Sequence, residues 1–133
     1  MMHYIELLRF RNHVTFAEVA VTAMIFAGEI TLGLIAKLVL LYICFNIFVY
    51  GGIYTLNDIF DLESDRQHPK KCKRPLPSNR IGIRTAFVFA LIMILIGLAS
   101  AYVLFGEKIF LILIWFIMLN AIYSSFAKRI PFL

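Results

Sequence analysis

Charge is what this sequence has least of: 16% of its 133 residues are Asp, Glu, Lys or Arg, against 62% hydrophobic, and mean hydropathy is +0.87. Soluble domains carry roughly 45 to 50% apolar and about 25% charged residues, so a soluble globular fold is excluded. Cysteine is scarce too. Cys44 and Cys72 lie 28 residues apart without a CxxC pair, so they say nothing about redox compartment. His68 beside Cys72 supplies two soft ligands and no third, too few for a zinc site. No cleavable signal peptide is visible: in MMHYIELLRFRNHVTF, Glu6, Arg9 and Arg11 precede the first apolar run, and no small-residue cleavage site follows. Internal repeats and low-complexity tracts are absent. The net charge of +5 does not imply nucleic acid, because the charges gather at the ends of apolar runs instead of forming a solvated basic face.

What remains is apolar runs and one basic loop. Runs at about 14–35, 38–56, 83–105 and 109–126 approach or exceed the roughly 20 residues that cross about 30 Å of hydrocarbon. They predict an all-α, polytopic transmembrane bundle in a single domain, 1–133, with about four membrane helices at 14–35, 38–65, 83–105 and 109–126. Glu18 and Glu29 lie near the ends of the first run, where a charge is less costly than at mid-bilayer, and receive no role. Residues Arg66 to Arg84 hold seven of the 13 Lys and Arg residues. Placing the N-terminus inside divides the basic residues eleven to two, with only Lys37 and Lys108 outside. The expectation is an integral protein of the cell membrane, surrounded by lipid, with both termini cytoplasmic. Pro69, Pro75, Pro77 and Gly82 stop a helix from running through the basic cytoplasmic loop 66–82. A helix over 38–65 would be about 42 Å long, so its last turns, NDIFDLESD, would stand at the membrane interface.

At about 100° per residue, Asn57, Asp61, Asp65 and Asp58 fall at about 0°, 40°, 80° and 100°, within roughly one third of the helix circumference, and Glu63 falls elsewhere. Carboxylates crowded on one arc near a membrane call for a cation. Hard oxygens with an amide suit Mg²⁺, which keeps several waters and bridges to phosphate, so the expected ligand is a magnesium diphosphate. Arg66, Lys70, Lys71, Lys73 and Arg74 can fold back onto that phosphate, Arg74 through a bidentate fork. The chemistry implied is group transfer with diphosphate leaving. Asn46 falls about 20° from Asn57, with Tyr50 and Tyr54 nearby, so an apolar tail can lie along that stripe.

Asn57-Asp58-x-x-Asp61-x-x-x-Asp65, late in the second membrane helix and followed by Arg74-Pro75, resembles the first aspartate-rich motif of the UbiA superfamily of intramembrane prenyltransferases. The resemblance in helix order runs over the whole chain. It implies that Asn57, Asp58, Asp61 and Asp65 hold Mg²⁺, with the three aspartates catalytic, and that a polyprenyl diphosphate gives its prenyl group to an acceptor such as an aromatic ring. Arg66, Lys71, Arg74 and Asn46 would contact substrate. The string NDIFDLESDRQHPKKCKRP also looks like the polyprenyl-phosphate phosphoribosyltransferase branch, with Asp65, Arg66, His68, Pro69, Lys71, Arg74 and Pro75 as its signature. That branch moves phosphoribose from phosphoribosyl diphosphate to a lipid phosphate. The family pattern continues to a second aspartate-rich motif, whereas after Asp65 the only acidic residue here is Glu107. The chain is therefore expected to be an N-terminal fragment or a truncated gene, inactive alone.

Plainer readings stand beside these. The acidic arc can be a solvated helix end, and the loop cations can serve orientation or anionic lipid. Asn46 can be an interhelical hydrogen-bonding residue, and Asn120, Tyr123 and Ser124 read first as packing and second as substrate contact. His68 reads as ordering the loop, Trp115 as lipid-facing or core bulk, and Gly51-Gly52 as a bend or a close helix contact. A reading from another class is a small four-helix ion-binding or assembly membrane protein; against it, no charged residue continues through the bilayer to form a path.

Overall fold

The computed structural model describes Tyr4, Leu7, residues 14–28 and residues 30–125, and among these the chain is helical with no strand. Helix α1 spans Val14–Ala27. It ends at Gly28, whose φ of +70° is a conformation that side chains with a Cβ resist. Thr31 then caps the next helix, its hydroxyl accepting from the Leu34 amide at 3.1 Å. The long second helix therefore starts at Leu32, six residues before the sequence-based start at 38. The single charge at Lys37 does not break it.

That helix runs over Leu32–Phe60 in three parts: α2, Leu32–Tyr42; a π-helical segment, Ile43–Tyr50; and α3, Gly51–Phe60. Asp61, at φ −90° and ψ 3°, interrupts it, and a short α4, Leu62–Gln67, follows. A 3₁₀ turn, Lys71–Lys73, lies in the basic loop. Helix α5, Ile83–Phe105, and helix α6, Glu107–Ser125, form a hairpin joined only by Gly106, at φ +80°. Among the described residues three helices are long and apolar enough to cross a membrane: Leu32–Phe60, Ile83–Phe105 and Glu107–Ser124. The 14 residues of α1 make only about 21 Å. Large exposed side chains such as Phe26, Leu32 and Val103 give the bundle an apolar exterior.

Packing centres on α5. Its buried small residues Ala86, Ala90, Gly97 and Ala101 form a stripe that lets another backbone come close. A Cβ on Gly97 would stand 2.7 Å from Val49 Cγ2, 2.8 Å from Phe48 Cβ and 2.9 Å from the Cys44 carbonyl oxygen. The π segment bulges onto that glycine. A Cβ on Gly52 would likewise stand 2.8 Å from the Ala90 carbonyl oxygen, so Gly52 marks a close helix contact. Cys44, Val49, Ile53, Ile94, Ala101 and Leu113 make the core of the three long helices.

A second apolar cluster sits at the motif end, under the loop: Leu7, Leu62, Leu76, Ile81 and Ala86. Tyr4 leans on Phe89 beside it, with ring centroids 5.2 Å apart. Pro75, Leu76 and Pro77 are buried, and both Arg80 and Ile81 amides bond to the Pro75 carbonyl, at 2.9 and 3.2 Å. The loop has turn structure and an apolar anchor of its own.

Candidate functional site

The motif end of α3 joins α4, the loop and the last turn of α6. Asp58 and Asp65 lie on either side of the Asp61 interruption and are almost fully buried, at 2% and 0% exposure. Arg74 spans them: its Nη1 stands 2.7 Å from Asp65 Oδ2 and 3.4 Å from Asp58 Oδ1. Lys71 Nζ stands 3.3 Å from Asp65 Oδ1, an ion-pair distance, although that oxygen accepts no hydrogen bond and is buried. Two carboxylates withdrawn from water are thus held by two cations, as their desolvation requires. The cations are aimed by the loop backbone. His68 Nδ1 accepts from the Lys70 and Lys71 amides at 3.2 and 3.3 Å, and the Arg74 amide donates to the Lys71 carbonyl at 3.0 Å.

The other residues singled out from the sequence are placed as follows. Asn57 Oδ1 accepts a hydrogen bond from Ser124 Oγ at 2.7 Å. Asp61 is half-buried at the break in the helix. Arg66 turns to the exposed side, where Nη1 pairs with Glu63 at 3.2 Å and Nη2 bonds to Asn79 at 3.0 Å, so it is not brought to the Asp58–Arg74–Asp65 cluster. Lys70 and Lys73 are exposed. Asn46 is buried in the π segment, its Nδ2 without a hydrogen-bond partner. A π segment turns less per residue than an α-helix, so the straight-helix phase between Asn46 and Asn57 does not carry through it. Tyr54 donates to the Tyr50 hydroxyl at 3.0 Å, and Phe45 and Phe116 complete an aromatic cluster there. Arg9, Arg11, Lys128, Arg129 and Glu29 lie outside the described residues.

No group of three or more His, Cys, Asp or Glu side chains that could hold a metal is formed among the described residues. The donor set nevertheless fits a hard divalent cation in kind: three carboxylates and an amide within nine residues, with Asp65 Oδ1 a buried acceptor that receives no hydrogen bond. In the arrangement seen, Arg74 and Lys71 supply the positive charge instead. From the sequence Ser124 reads as packing first and substrate contact second, with nothing to pair it with Asn57. Only the interhelical contact reveals it, because nothing local marks a residue 67 positions away. Asn79 is signalled after the fact by its left-handed φ of 58°, a conformation asparagine tolerates.

Long apolar helices surrounding a charged cluster at one end define an integral membrane protein with a polar site at the margin of its bundle. Residues 17–133 match the UbiA prenyltransferase family, and the chain belongs to that family. It is 32% identical over 95 residues to the digeranylgeranylglyceryl phosphate synthase of Methanocaldococcus jannaschii, covering 71% of this chain and 32% of that protein. It is 35% identical over 101 residues to the enzyme of the same name from Sulfurisphaera tokodaii, covering 76% and 35%. It is 37% identical over 75 residues to the nodulation protein NoeC of Azorhizobium caulinodans, covering 56% and 24%. The chain spans about a third of the length of the curated synthases it matches.

Proposed function

We propose that this chain provides the donor site of a UbiA-type transferase that moves a prenyl group from a polyprenyl diphosphate to an acceptor. Its motif end and both termini would lie on the cytoplasmic side of the cell membrane, as the eleven-to-two division of basic residues suggests. The observation that carries the reading is the Asp58–Arg74–Asp65 cluster at the end of a membrane helix, in a family named for prenyl transfer. Asn57, Asp58, Asp61 and Asp65 would hold Mg²⁺; when bound, it neutralises charge on the diphosphate as that group departs. Arg74 and Lys71 reach the same place from the loop and would stabilise the leaving group's developing charge, Arg74 with its planar fork and Lys71 as a point charge. In the transfer, the bond from the prenyl carbon to the diphosphate oxygen breaks and leaves its electron pair on the diphosphate. The acceptor atom forms the new bond and gives its proton to water. Asn46, Tyr50 and Tyr54 lie further up the helix, where a prenyl chain would run.

A second reading is favoured by one feature, the string Asp65-Arg66-x-His68-Pro69-x-Lys71-x-x-Arg74-Pro75: the donor would be phosphoribosyl diphosphate and the acceptor a polyprenyl phosphate. Binding of labelled donors to the protein in detergent with Mg²⁺ separates the two. Retention of a polyprenyl diphosphate, abolished by Asp61→Asn and Asp65→Asn, supports prenyl transfer. Retention of phosphoribosyl diphosphate alone sinks the prenyl reading. Divalent-cation uptake that no diphosphate strengthens sinks both and favours an ion-binding membrane protein.

A further inference from the structure

We infer that Ser124 is a positioning residue for Asn57, so that the donor site is built from two helices rather than from the aspartate-rich helix alone. The inference rests on the donor-site reading above. Ser124 Oγ donates to Asn57 Oδ1 at 2.7 Å, across 67 residues, from the last turn of α6 to the last turns of α3. A hydroxyl within a helix commonly returns its proton to the carbonyl one turn back. Thr55 does so to Gly51 at 2.9 Å, and Thr22 to Glu18 at 2.8 Å. Ser124 sends its single proton across the helix interface instead.

The bond has a directional consequence. The terminal torsion of an asparagine side chain is broad, so an amide with no fixed partner presents its carbonyl and its NH₂ group over a wide arc. Ser124 engages one lone pair of Oδ1, which fixes where the second lone pair points and sends Nδ2 the other way. Asn57 adjoins Asp58, whose carboxylate is itself fixed by Arg74, so the two neighbouring donors are each held by a different part of the chain.

The test uses Mn²⁺ with inorganic diphosphate as the probe, followed by electron paramagnetic resonance on the protein in detergent. Ser124→Ala is expected to weaken binding of the Mn²⁺–diphosphate pair about three- to tenfold, the worth of one neutral hydrogen bond. Ser124→Thr restores it to within about twofold, since the hydroxyl remains. In an Asn57→Ala background, Ser124→Ala adds no further loss. A purely packing role would move the thermal midpoint and leave this coupling absent. If Ser124→Ala does not fold, Ser124→Cys keeps the volume with a weaker donor and carries the same comparison. Unchanged affinity in the serine variants, or equal losses with and without Asn57, overturns the inference alone. Unchanged affinity in Asn57→Ala overturns the donor-site reading and the inference with it.

Discussion

Arg74→Met removes the guanidinium from two buried carboxylates while keeping much of the side chain's length. The geometry sets the scale. Among the described residues, Asp65 loses its 2.7 Å partner and keeps Lys71 at 3.3 Å on the other oxygen, and Asp58 loses a contact at 3.4 Å. Removing one member of a fully buried ion pair costs about 3–5 kcal/mol. The Arg74 side chain is 32% exposed, so water already screens part of the interaction, and about 2–3 kcal/mol is the better expectation. Arg74→Lys should fall between, because an ammonium keeps the charge but sits on a shorter side chain that does not reach the place where Nη1 meets both carboxylates. Thermal unfolding in detergent, read from the single tryptophan, Trp115, measures the loss. The decisive comparison is with Asp65→Asn: residues sharing one ion pair should couple, the double variant losing at least about 1 kcal/mol less than the sum of the singles. Strict additivity, or an Arg74→Met midpoint equal to that of the native protein, would refute the claim that this arginine holds the carboxylate pair.

Two glycines should separate steric from conformational cost. Gly97→Ala pushes a methyl against the Cys44 carbonyl and the Val49 and Phe48 side chains, so the thermal midpoint should fall by the equivalent of about 1–3 kcal/mol. Gly106→Ala meets no atom within 4 Å but forces a side chain onto φ +80° and ψ −173°, a region essentially reserved for glycine, and a loss of about 1–3 kcal/mol there has a backbone origin; an unchanged thermal midpoint would contradict it. His68→Leu removes the acceptor that gathers the Lys70 and Lys71 amides, so trypsin should cut the loop faster, while His68→Asn, which keeps an acceptor, should resist; equal cutting rates would show that the histidine does not order the turn.

Helix was legible in the apolar runs because hydropathy over about 20 residues reports what a bilayer demands. The boundaries were less so. Gly28 and Thr31 decide where the long helix begins, and both lie inside an apolar stretch whose hydropathy hides a left-handed glycine and a capping hydroxyl. The π segment was equally hidden, since ICFNIFVY has the same composition whether wound as α or π; what accompanies the wider turn is the contact with Gly97, on another helix. The acidic motif was conspicuous as a string. That Arg74 and not Arg66 bridges Asp58 and Asp65 depended on how the loop turns, and Pro75 and Leu76 settle that by burying themselves.

The apolar peg beneath the loop ties Leu7 to the charged end of the bundle. Leu7, 1% exposed, shares that peg with Leu62 and Leu76, and Leu76 lies two positions after Arg74. Replacing Leu7, or fusing a bulky tag close to it, therefore tugs on a guanidinium that neither alteration touches. Expression designs that leave Leu7 and its apolar neighbours untouched spare that linkage.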